Sequence, residues 1–301
     1  MKIIIFGYGF AGAECYRKLI NNRKYEIIGF ADNSKYKQGH IVGNIPILSI
    51  DDLVQLKNRI EFSVIIAVRQ WFVVGEQLEK NNIAIRGIWQ NNRIKKYDRM
   101  TFERLDLSKQ ITLYAGDICD EEHLKNPNLY GLSIHKADKR HIWADITNKY
   151  PLPDNSIYSY QAEDVLEHIE PQKLVDTINE IYRILGDGVF RICLPDYFSP
   201  YLKNISMKSK EGRILFDPTG GGVYGENGVL QGGHIWFPNV INVRELLMRT
   251  KFEKFEFLCY HTEKEELVKK DIDYSKGWIN RIPKPGEEDR PVYSIVIDCY
   301  K

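Results

Sequence analysis

The fold of the first part of the chain is decided by residues 2–12, which read KIIIFGYGFAG. An unbroken apolar run is followed at once by Gly7, Gly9 and Gly12 in the spacing G-x-G-x-x-G, and a helical pattern covers residues 10–21. A buried strand that passes through such a turn into a helix is typical of a nucleotide-binding βαβ unit. The first glycine permits the tight turn, the second lets a phosphate approach the backbone, and the third lets the helix pack closely on the sheet.

Asp32 places an acidic residue at the end of the second predicted strand, residues 25–31. In this type of unit such an acid accepts hydrogen bonds from ribose hydroxyls, while the helix N-terminus offers N–H groups to a phosphate. We therefore predict a nucleotide-type ligand at Gly7, Gly9, Gly12 and Asp32. The alternative is a tight strand–helix turn that serves packing alone, with Asp32 capping a loop.

Strand and helix patterns keep alternating as far as residue 89, which predicts right-handed crossovers and a parallel sheet. The next stretch, residues 90–106 (QNNRIKKYDRMTFERLD), is polar and has no sustained apolar period. We therefore predict a small first domain at residues 1–95, a linker at residues 96–107 and a second domain at residues 108–301.

The second half repeats the α/β pattern. Residues 171–185 give the clearest helix pattern, with Pro171 suited to its first turn and Gly186 to the position after its end. The charged run EKEELVKK at residues 263–270 is interpreted as a solvated helix face. Strands are predicted at residues 111–115, 129–134, 141–144, 157–161, 188–194, 254–260 and 293–300.

Composition excludes several classes of protein. The 42 Lys and Arg residues nearly balance the 41 Asp and Glu residues, whereas a nucleic-acid binder normally has a basic excess. The apolar runs are too short to span a bilayer, and the sequence shows no export signal. The five cysteines form no C-x-x-C pair and the seven histidines show no metal-ligand spacing. We therefore predict a cytoplasmic protein with reduced thiols and no metal.

Three segments of the first domain carry a family likeness: KIIIFGYGFAGAECYRKL, YEIIGFADNSKYKQGHIVGNIPILSIDDL and SVIIAV. They resemble the small Rossmann-like domain of sugar O-acyltransferases and of nucleotide-sugar epimerase/dehydratase relatives. The resemblance implies that a nucleotide or nucleotide sugar contacts the glycine loop and Asp32. The segment is long enough for only half of a full dinucleotide fold, and no Tyr-x-x-x-Lys pair follows in the order that short-chain reductases need, so an oxidoreductase is disfavoured.

The second domain carries a set of short motifs in a fixed order. They are Asp145 after the third strand, PLPDNS at residues 151–156, VLEHI at 165–169, LGDG at 185–188 and HIWF at 234–237. Together they resemble class I S-adenosylmethionine-dependent methyltransferases, in particular the type 11-like group that acts on sugars and small molecules. The resemblance implies a methyltransferase-like domain with an antiparallel last strand, and so an α/β protein with two Rossmann-like domains.

The same resemblance implies the residues of a cofactor site at the carboxyl ends of the strands, where ligands of open α/β sheets bind. The cofactor would be S-adenosylmethionine, and an alcohol acceptor would need a general base. The implied cofactor-binding residues are Ala115, Gly116 and Asp117 at its amino-acid end, Asp145 and Ile146 beside adenine, and Glu163 and Asp164 facing the reaction centre. The candidate bases are His234 and His168.

Two positions depart from the family pattern. Gly116 is the single glycine of the loop YAGDICD, and His135 stands where an acid would hold the cofactor ribose. Loss of that carboxylate removes a strong, charge-assisted hydrogen-bond acceptor. His135 is nevertheless placed at the cofactor site by the resemblance.

The sequence thus predicts an enzyme that transfers a methyl group from S-adenosylmethionine to an oxygen of a nucleotide-sugar or surface-polysaccharide-related acceptor. Its partner would be a small-molecule or glycan substrate and not a nucleic acid, and whether it forms a homo-oligomer stays open. The alternative is a non-catalytic nucleotide- or sugar-nucleotide-binding protein whose methyltransferase domain is degenerate. A nucleotide-dependent oxidoreductase is a weaker third interpretation.

Overall fold

A computed structural model of the chain describes residues 1–284, 286–287 and 289–301. The chain divides into two compact units. Unit 1 consists of Met1–Arg99 and His135–Asp138, and unit 2 of Met100–Ile134 and Lys139–Lys301. Both are α/β, as the sequence predicted. The exact predicted domain bounds stay a prediction.

Unit 1 is a twisted sheet with helices between its strands. Its strand order is β3-β4-β2-β1-β5-β6-β7, in which β4, β2, β1, β5 and β6 run parallel and the two edge strands run antiparallel to their neighbours. The elements are β1 (Lys2–Phe6), α1 (Phe10–Leu19), β2 (Glu26–Ala31), β3 (Ile41–Val42), β4 (Ile45–Leu48), α2 (Ile50–Lys57), β5 (Ser63–Ile66), α3 (Trp71–Lys80), β6 (Ile85–Gln90) and β7 (Arg93–Lys95).

The glycine loop of unit 1 is fixed by close packing between β1 and α1. Gly7 has φ +110, a conformation that favours glycine. A Cβ on Gly12 would lie 1.8 Å from the carbonyl oxygen of Gly7, so a larger residue there would push the helix away from the turn. The apolar run before the loop is fully buried, with Ile3, Ile4 and Ile5 at 0% exposure. Packing alone therefore explains the first and third glycines of the motif.

Unit 2 is built around an eight-stranded sheet with the order β10-β9-β8-β11-β12-β19-β17-β18. The elements are β8 (Thr112–Ala115), α4 (Glu121–Leu124), β9 (Leu129–Ser133), β10 (His141–Trp143), β11 (Ser159–Glu163), α5 (Pro171–Ile184), β12 (Val189–Pro195), α6 (Pro200–Ile205), β13 (Met207–Lys208), β14 (Ile214–Phe216), β15 (Val223–Gly225), β16 (Gly228–Leu230), α7 (Val240–Met248), β17 (Lys254–His261), β18 (Leu267–Lys269) and β19 (Ser294–Tyr300).

Five neighbouring strands of this sheet, from β10 to β12, are parallel, and β19 runs antiparallel to both β12 and β17. The antiparallel last strand confirms the methyltransferase-like fold expected for the second domain. The helices α5 and α7 pack their buried residues against one core with the strands. Because the parallel strands all end at one edge, the loops after β8, β10, β11 and β12 meet there.

The interpretation of residues 263–270 as a helix face is wrong. The segment forms a turn in which Glu265 has φ +66, followed by β18, which pairs antiparallel with β17 at the sheet edge. Cross-strand pairing outweighs the local charge pattern here, and charged side chains are common on edge strands. Within the part of the chain that the structure describes, none of the helices has the length and apolarity needed to cross a membrane.

Candidate functional site

The candidate site of unit 2 lies where β11 and β12 end. Glu163 is the last residue of β11, and Asp164 follows it with φ +52. The chain then makes a short 3-10 turn, Leu166–His168, before α5 begins at Pro171. The loop that carries His234 is tied to this turn because the backbone N–H of Ile235 donates to the carbonyl oxygen of Glu167 at 3.0 Å.

These loops enclose a cavity of about 370 Å³. Three of the predicted residues line it, Asp164, His168 and His234. The stacked rings of Tyr201 and Tyr293, whose centroids are 5.2 Å apart, form another part of its wall. A cavity with two imidazoles, a carboxylate and an aromatic pair has the groups needed to bind a polar organic molecule and to move a proton.

His234 is held by a hydrogen-bonded chain of two further residues. The hydroxyl of Tyr197 donates to Oδ2 of Asp217 at 2.7 Å, and the hydroxyl oxygen lies 2.6 Å from Nδ1 of His234. Since the single hydroxyl hydrogen is used on Asp217, the oxygen accepts a hydrogen bond from Nδ1–H. Nε2 of the neutral ring therefore carries the lone pair, which is the atom a base or a metal ligand needs.

Asp217 stays ionised in this arrangement. Burial opposes ionisation, but the neighbouring His234 and hydrogen bonds from Thr219 and Tyr197 hold the pKa of its carboxyl well below the usual range. A fixed negative charge at the far end of the chain stabilises a positive charge on the imidazole.

Glu167 is the most unusual residue of the site. It is fully buried, at 0% exposure, and within the described part of the chain neither carboxylate oxygen has a hydrogen-bond partner in another residue. Its Oε1 lies 3.5 Å from Nε2 of His234. Burial, together with the negative charge of Asp164, raises the pKa of this carboxyl well above its usual value.

His168 lies beside His234 with the rings edge to face and their centroids 4.8 Å apart. It is partly exposed. Burial of part of the ring and the neighbouring His234 lower the pKa of His168, while backbone hydrogen bonds with Gly233 and Gly232 act in the opposite direction. The ring is therefore neutral near pH 7 and keeps one nitrogen with a lone pair.

The two acids after β11 have different environments. Glu163 is 7% exposed, and its Oε1 accepts hydrogen bonds from the backbone N–H groups of Asn280 and Arg281, each at 2.9 Å. Burial raises the pKa of Glu163 to about 7 despite these bonds. Asp164 forms an ion pair with the guanidinium of Arg281, yet burial raises the pKa of its carboxyl as well.

The other implied cofactor residues end the neighbouring strands. Ala115 ends β8 and is fully buried, whereas Asp117 is exposed. Gly116 has φ +97, and a Cβ there would meet only Val165, at 3.5 Å. The loop then folds onto the sheet, where the N–H of Ile118 donates to Nε2 of the buried His141 at 2.9 Å.

Three more of the residues implied to bind the cofactor do not line this cavity. Asp145 is exposed, and its Oδ1 accepts hydrogen bonds from the N–H and hydroxyl of Thr147, while Ile146 belongs to the hydrophobic core. His135 is exposed after β9 and belongs to unit 1 in the division of the chain given above. The cofactor-binding roles of all these residues stay a prediction.

Sequence reasoning missed most of the cavity wall and its hydrogen bonds, including Tyr197, Tyr201, Asp217, Arg281 and Tyr293. These residues come from several separate segments of the sequence, and tyrosine is spread through the whole chain. The one local signal was the position of Tyr197 directly after Leu194-Pro195-Asp196, at the carboxyl end of a predicted strand. No spacing rule connects it to His234.

The candidate site of unit 1 is the glycine loop. Oδ2 of Asp32 accepts hydrogen bonds from the N–H of Tyr8 at 2.8 Å and from Nζ of Lys37 at 3.0 Å, and its Oδ1 accepts from the N–H of Ser34 at 2.9 Å. Partial burial opposes ionisation, but these bonds lower the pKa of the Asp32 carboxyl. Asp32 thus holds the loop to the end of β2, and a ribose would share its oxygens.

Gly9 differs from the other two glycines of the loop. A Cβ at Gly9 would meet nothing within 4 Å, so packing within the protein does not require glycine there. Gly9 is also the N-cap of α1, with no side-chain cap and no acid in the first turn. A cavity of about 640 Å³ lies beside the loop, with Gly7, Asp32 and Arg69 in its wall. Open space, uncapped N–H groups and an arginine suit an anionic ligand.

Comparison with known proteins finds solved structures that resemble parts of this chain, but it does not assign the chain to a family. No protein-family model and no curated protein matches the sequence. UDP-D-quinovosamine 4-dehydrogenase from Vibrio fischeri is 24% identical over 29% of this chain and 74% of its own length, with a TM-score of 0.25. The Rex-family repressor RSP is 17% identical over 32% of this chain and 48% of its own, with a TM-score of 0.25.

A SAM-dependent methyltransferase from Archaeoglobus fulgidus is 16% identical over 66% of this chain and 90% of its own length, with a TM-score of 0.40. At these identities and TM-scores, none of the three likenesses assigns an activity, a substrate or a ligand to this chain.

Proposed function

We propose that this chain is a S-adenosylmethionine-dependent methyltransferase that modifies an oxygen of a nucleotide-sugar or surface-polysaccharide-related acceptor. The observation that carries the proposal is the cavity at the carboxyl edge of the second sheet, where Asp164, His168 and His234 meet. It lies at the edge of an open α/β sheet where ligands bind, next to the strand ends that the family resemblance assigns to the cofactor.

The residues present fit the cofactor in part. Gly116 leaves open space beside the end of β8, since a Cβ there would make only an ordinary contact with Val165. Asp145 is exposed and has a carboxylate oxygen besides the one used by Thr147. The cofactor supplies a methyl group bound to a sulfonium sulfur. When the methyl group is transferred, the electrons of the S–C bond stay on the sulfur.

In this proposal His234 accepts the proton of the acceptor hydroxyl at Nε2 while the oxygen forms its bond to the methyl carbon. Tyr197 and Asp217 position the ring and stabilise the imidazolium that results. The paired rings of Tyr201 and Tyr293 offer an apolar face on which a sugar ring stacks. Holding donor and acceptor in line supplies much of the rate of such a displacement.

Unit 1 would bind the nucleotide part of a nucleotide sugar. The support is the open space over Gly9 and the uncapped N-terminus of α1, which together admit a diphosphate. This assignment does not depend on catalysis in unit 2.

The alternative is a nucleotide-binding protein with a degenerate methyltransferase domain. The observation that favours it is the short first crossover of unit 2: α4 is a single turn, and the loop before it folds onto His141. That loop is where the cofactor's amino-acid end would be held.

Calorimetry of the full chain with S-adenosylmethionine and with S-adenosylhomocysteine separates the two. If the chain is the proposed enzyme, both compounds should bind saturably with micromolar affinity, and Asp145→Asn should weaken this binding. Asp187→Asn is the control and should leave the binding unchanged, because Asp187 is an exposed acid before β12, at the opposite edge of the sheet. Absence of heat with either compound, for a folded sample, makes the binding protein the better account. Labelled methyl transfer to a panel of UDP-sugars then tests the acceptor class.

A further inference from the structure

Glu167, His168 and His234 form a compact group of two imidazoles and one carboxylate. One potential ligand atom from each lies within 4.8 Å of the others. Glu167 and His168 are neighbours on the turn after β11, and His234 comes from the loop before α7. The sequence predicted no metal because these residues have no metal-ligand spacing along the chain; the tertiary structure brings them together.

The charge of Glu167 is the first reason to look for a cation. An ionised carboxylate that is fully buried without a hydrogen-bond donor is strongly disfavoured. The guanidinium of Arg281 is ion-paired with Asp164 and forms no hydrogen bond with Glu167. A cation at the oxygens of Glu167 would satisfy this buried carboxylate.

The tautomer of His234 is the second, independent reason. Its Nδ1–H is used by Tyr197, so Nε2 carries the lone pair, and this atom lies 3.5 Å from Oε1 of Glu167. A cation between these two atoms would accept a lone pair from each of them. A zinc-ligating histidine usually donates its other ring N–H to a carboxylate, a backbone carbonyl or water. Here the ring donates to the hydroxyl of Tyr197, which in turn donates to the carboxylate of Asp217.

We propose that Glu167, His168 and His234 bind a divalent transition-metal ion of the zinc type. Ligand atoms 2.0–2.2 Å from a tetrahedral zinc are about 3.4 Å apart, which agrees with the 3.5 Å between Oε1 and Nε2. The ligand atom of His168 needs to move by up to about 1.4 Å, within reach of an exposed histidine.

Two histidines and one glutamate leave a fourth coordination position. Both histidines line the cavity, so this position faces the space proposed for the acceptor. Such open sites bind a water or a substrate oxygen and favour its deprotonation. The metal and the base role of His234 are alternatives at one atom, because the Nε2 lone pair either binds the ion or accepts a proton.

The test uses the full chain, stripped with a chelator and titrated with zinc chloride by calorimetry, and with cobalt chloride by absorption spectroscopy. We expect one zinc per chain and the intense visible bands of tetrahedral cobalt. Glu167→Gln and His234→Gln should each weaken zinc binding at least tenfold, and Tyr197→Phe should weaken it about 10–100-fold by releasing the ring. The exposed His40→Gln in unit 1 is the matched control and should bind as the unchanged protein does.

Absence of saturable zinc binding by the unchanged chain overturns the proposal, and so does equal affinity in Glu167→Gln. If the variants fail to fold, the zinc stoichiometry and the cobalt spectrum of the unchanged chain decide whether the metal site exists. No donor or acceptor is present in these titrations, so their outcome is separate from that of the methyltransferase proposal.

Discussion

The hydroxyl oxygen of Tyr197 lies 2.6 Å from Nδ1 of His234, and this contact decides which ring nitrogen carries the proton. Tyr197 gives its own hydrogen to Asp217, so it accepts from the ring. The Nε2 lone pair, which both the base role and the metal proposal require, therefore depends on a residue that touches neither the acceptor nor the ion.

Tyr197→Phe should release the ring of His234 from its fixed tautomer. Nitrogen NMR of histidine-labelled protein should show one ring change from the Nδ1–H form to a mixture of tautomers. The loss of the buried hydrogen bonds should also lower the free energy of unfolding by about 1–3 kcal/mol. Tyr158→Phe, at a half-exposed tyrosine, should change neither quantity, and an unaltered His234 spectrum in Tyr197→Phe would contradict the assigned tautomer.

Gly220→Ala should displace the same imidazole by steric contact. A Cβ at Gly220 would lie 2.5 Å from Cγ of His234, whereas the nearest atom to a Cβ at Gly225 would be the end of the Leu230 side chain, at 3.2 Å. We expect Gly220→Ala to cost about 1–3 kcal/mol and Gly225→Ala less than about 0.5 kcal/mol in chemical unfolding. Equal stabilities of the two variants would show that the ring does not pack on residue 220 in solution.

Glu163 should make the stability of the protein depend on pH. Burial raises its pKa from 4.5 to about 7, so the folded protein holds this proton more tightly than the unfolded chain. The resulting stabilisation is complete below about pH 4.5 and is lost as the pH rises through about 7, a change of up to about 3 kcal/mol.

Glu163→Gln should flatten this part of the pH profile, since Gln keeps an oxygen for the N–H groups of Asn280 and Arg281 but does not titrate. Urea unfolding between about pH 5 and about pH 8 measures the effect. Glu226→Gln, at an exposed position, should keep the original profile. An identical slope in Glu163→Gln would show that Glu163 titrates normally.

Gly9→Val should abolish binding of UDP or a UDP-sugar to unit 1 without unfolding it, because a Cβ at Gly9 meets open space. Gly12→Val is the contrasting change, because its Cβ would lie 1.8 Å from the Gly7 carbonyl oxygen, and it should destabilise unit 1 itself. Fluorescence titration and thermal melting separate the two effects. Unchanged nucleotide affinity in Gly9→Val would show that the glycine loop does not bind the nucleotide.

Removing either partner of the ion pair between Arg191 and Asp298 should strongly lower the stability of the fold. Both side chains are almost completely buried, Nε of Arg191 lies 2.7 Å from Oδ1 of Asp298, and Nη1 also donates to the carbonyl oxygens of Asp273 and Gly277. Removing one partner leaves a buried charge, so Asp298→Ala should cost about 3–5 kcal/mol in urea unfolding. The double change Arg191→Met with Asp298→Leu should recover part of this loss; no recovery would assign the cost to lost packing instead.

Much of the fold was predictable because its signals are local. The apolar run Lys2–Phe6 and the glycines after it predicted β1, the turn and α1, since each depends on a few neighbouring residues. The stripe on α5 and its Pro171 predicted that helix equally well. Residues 263–270 were misassigned because their state depends on pairing with β17, which no local pattern records.

The candidate site was predictable only where a family motif covered it. Glu163, Asp164, His168 and His234 lie in such motifs, and three of them line one cavity. Tyr197, Asp217 and Arg281 lie outside any motif, and their roles come from hydrogen bonds and ion pairs across the site.

The sequence by itself determined that this chain forms two α/β units with mostly parallel sheets, because hydrophobic period and turn residues act over short distances. Only the tertiary structure decided that Glu167 is buried with no hydrogen-bond partner among the other described residues, that Nε2 of His234 lies 3.5 Å from its Oε1, and that His168 lies beside both. The reason is geometric: loops that leave different strands at one edge of a sheet converge, whatever their separation along the chain.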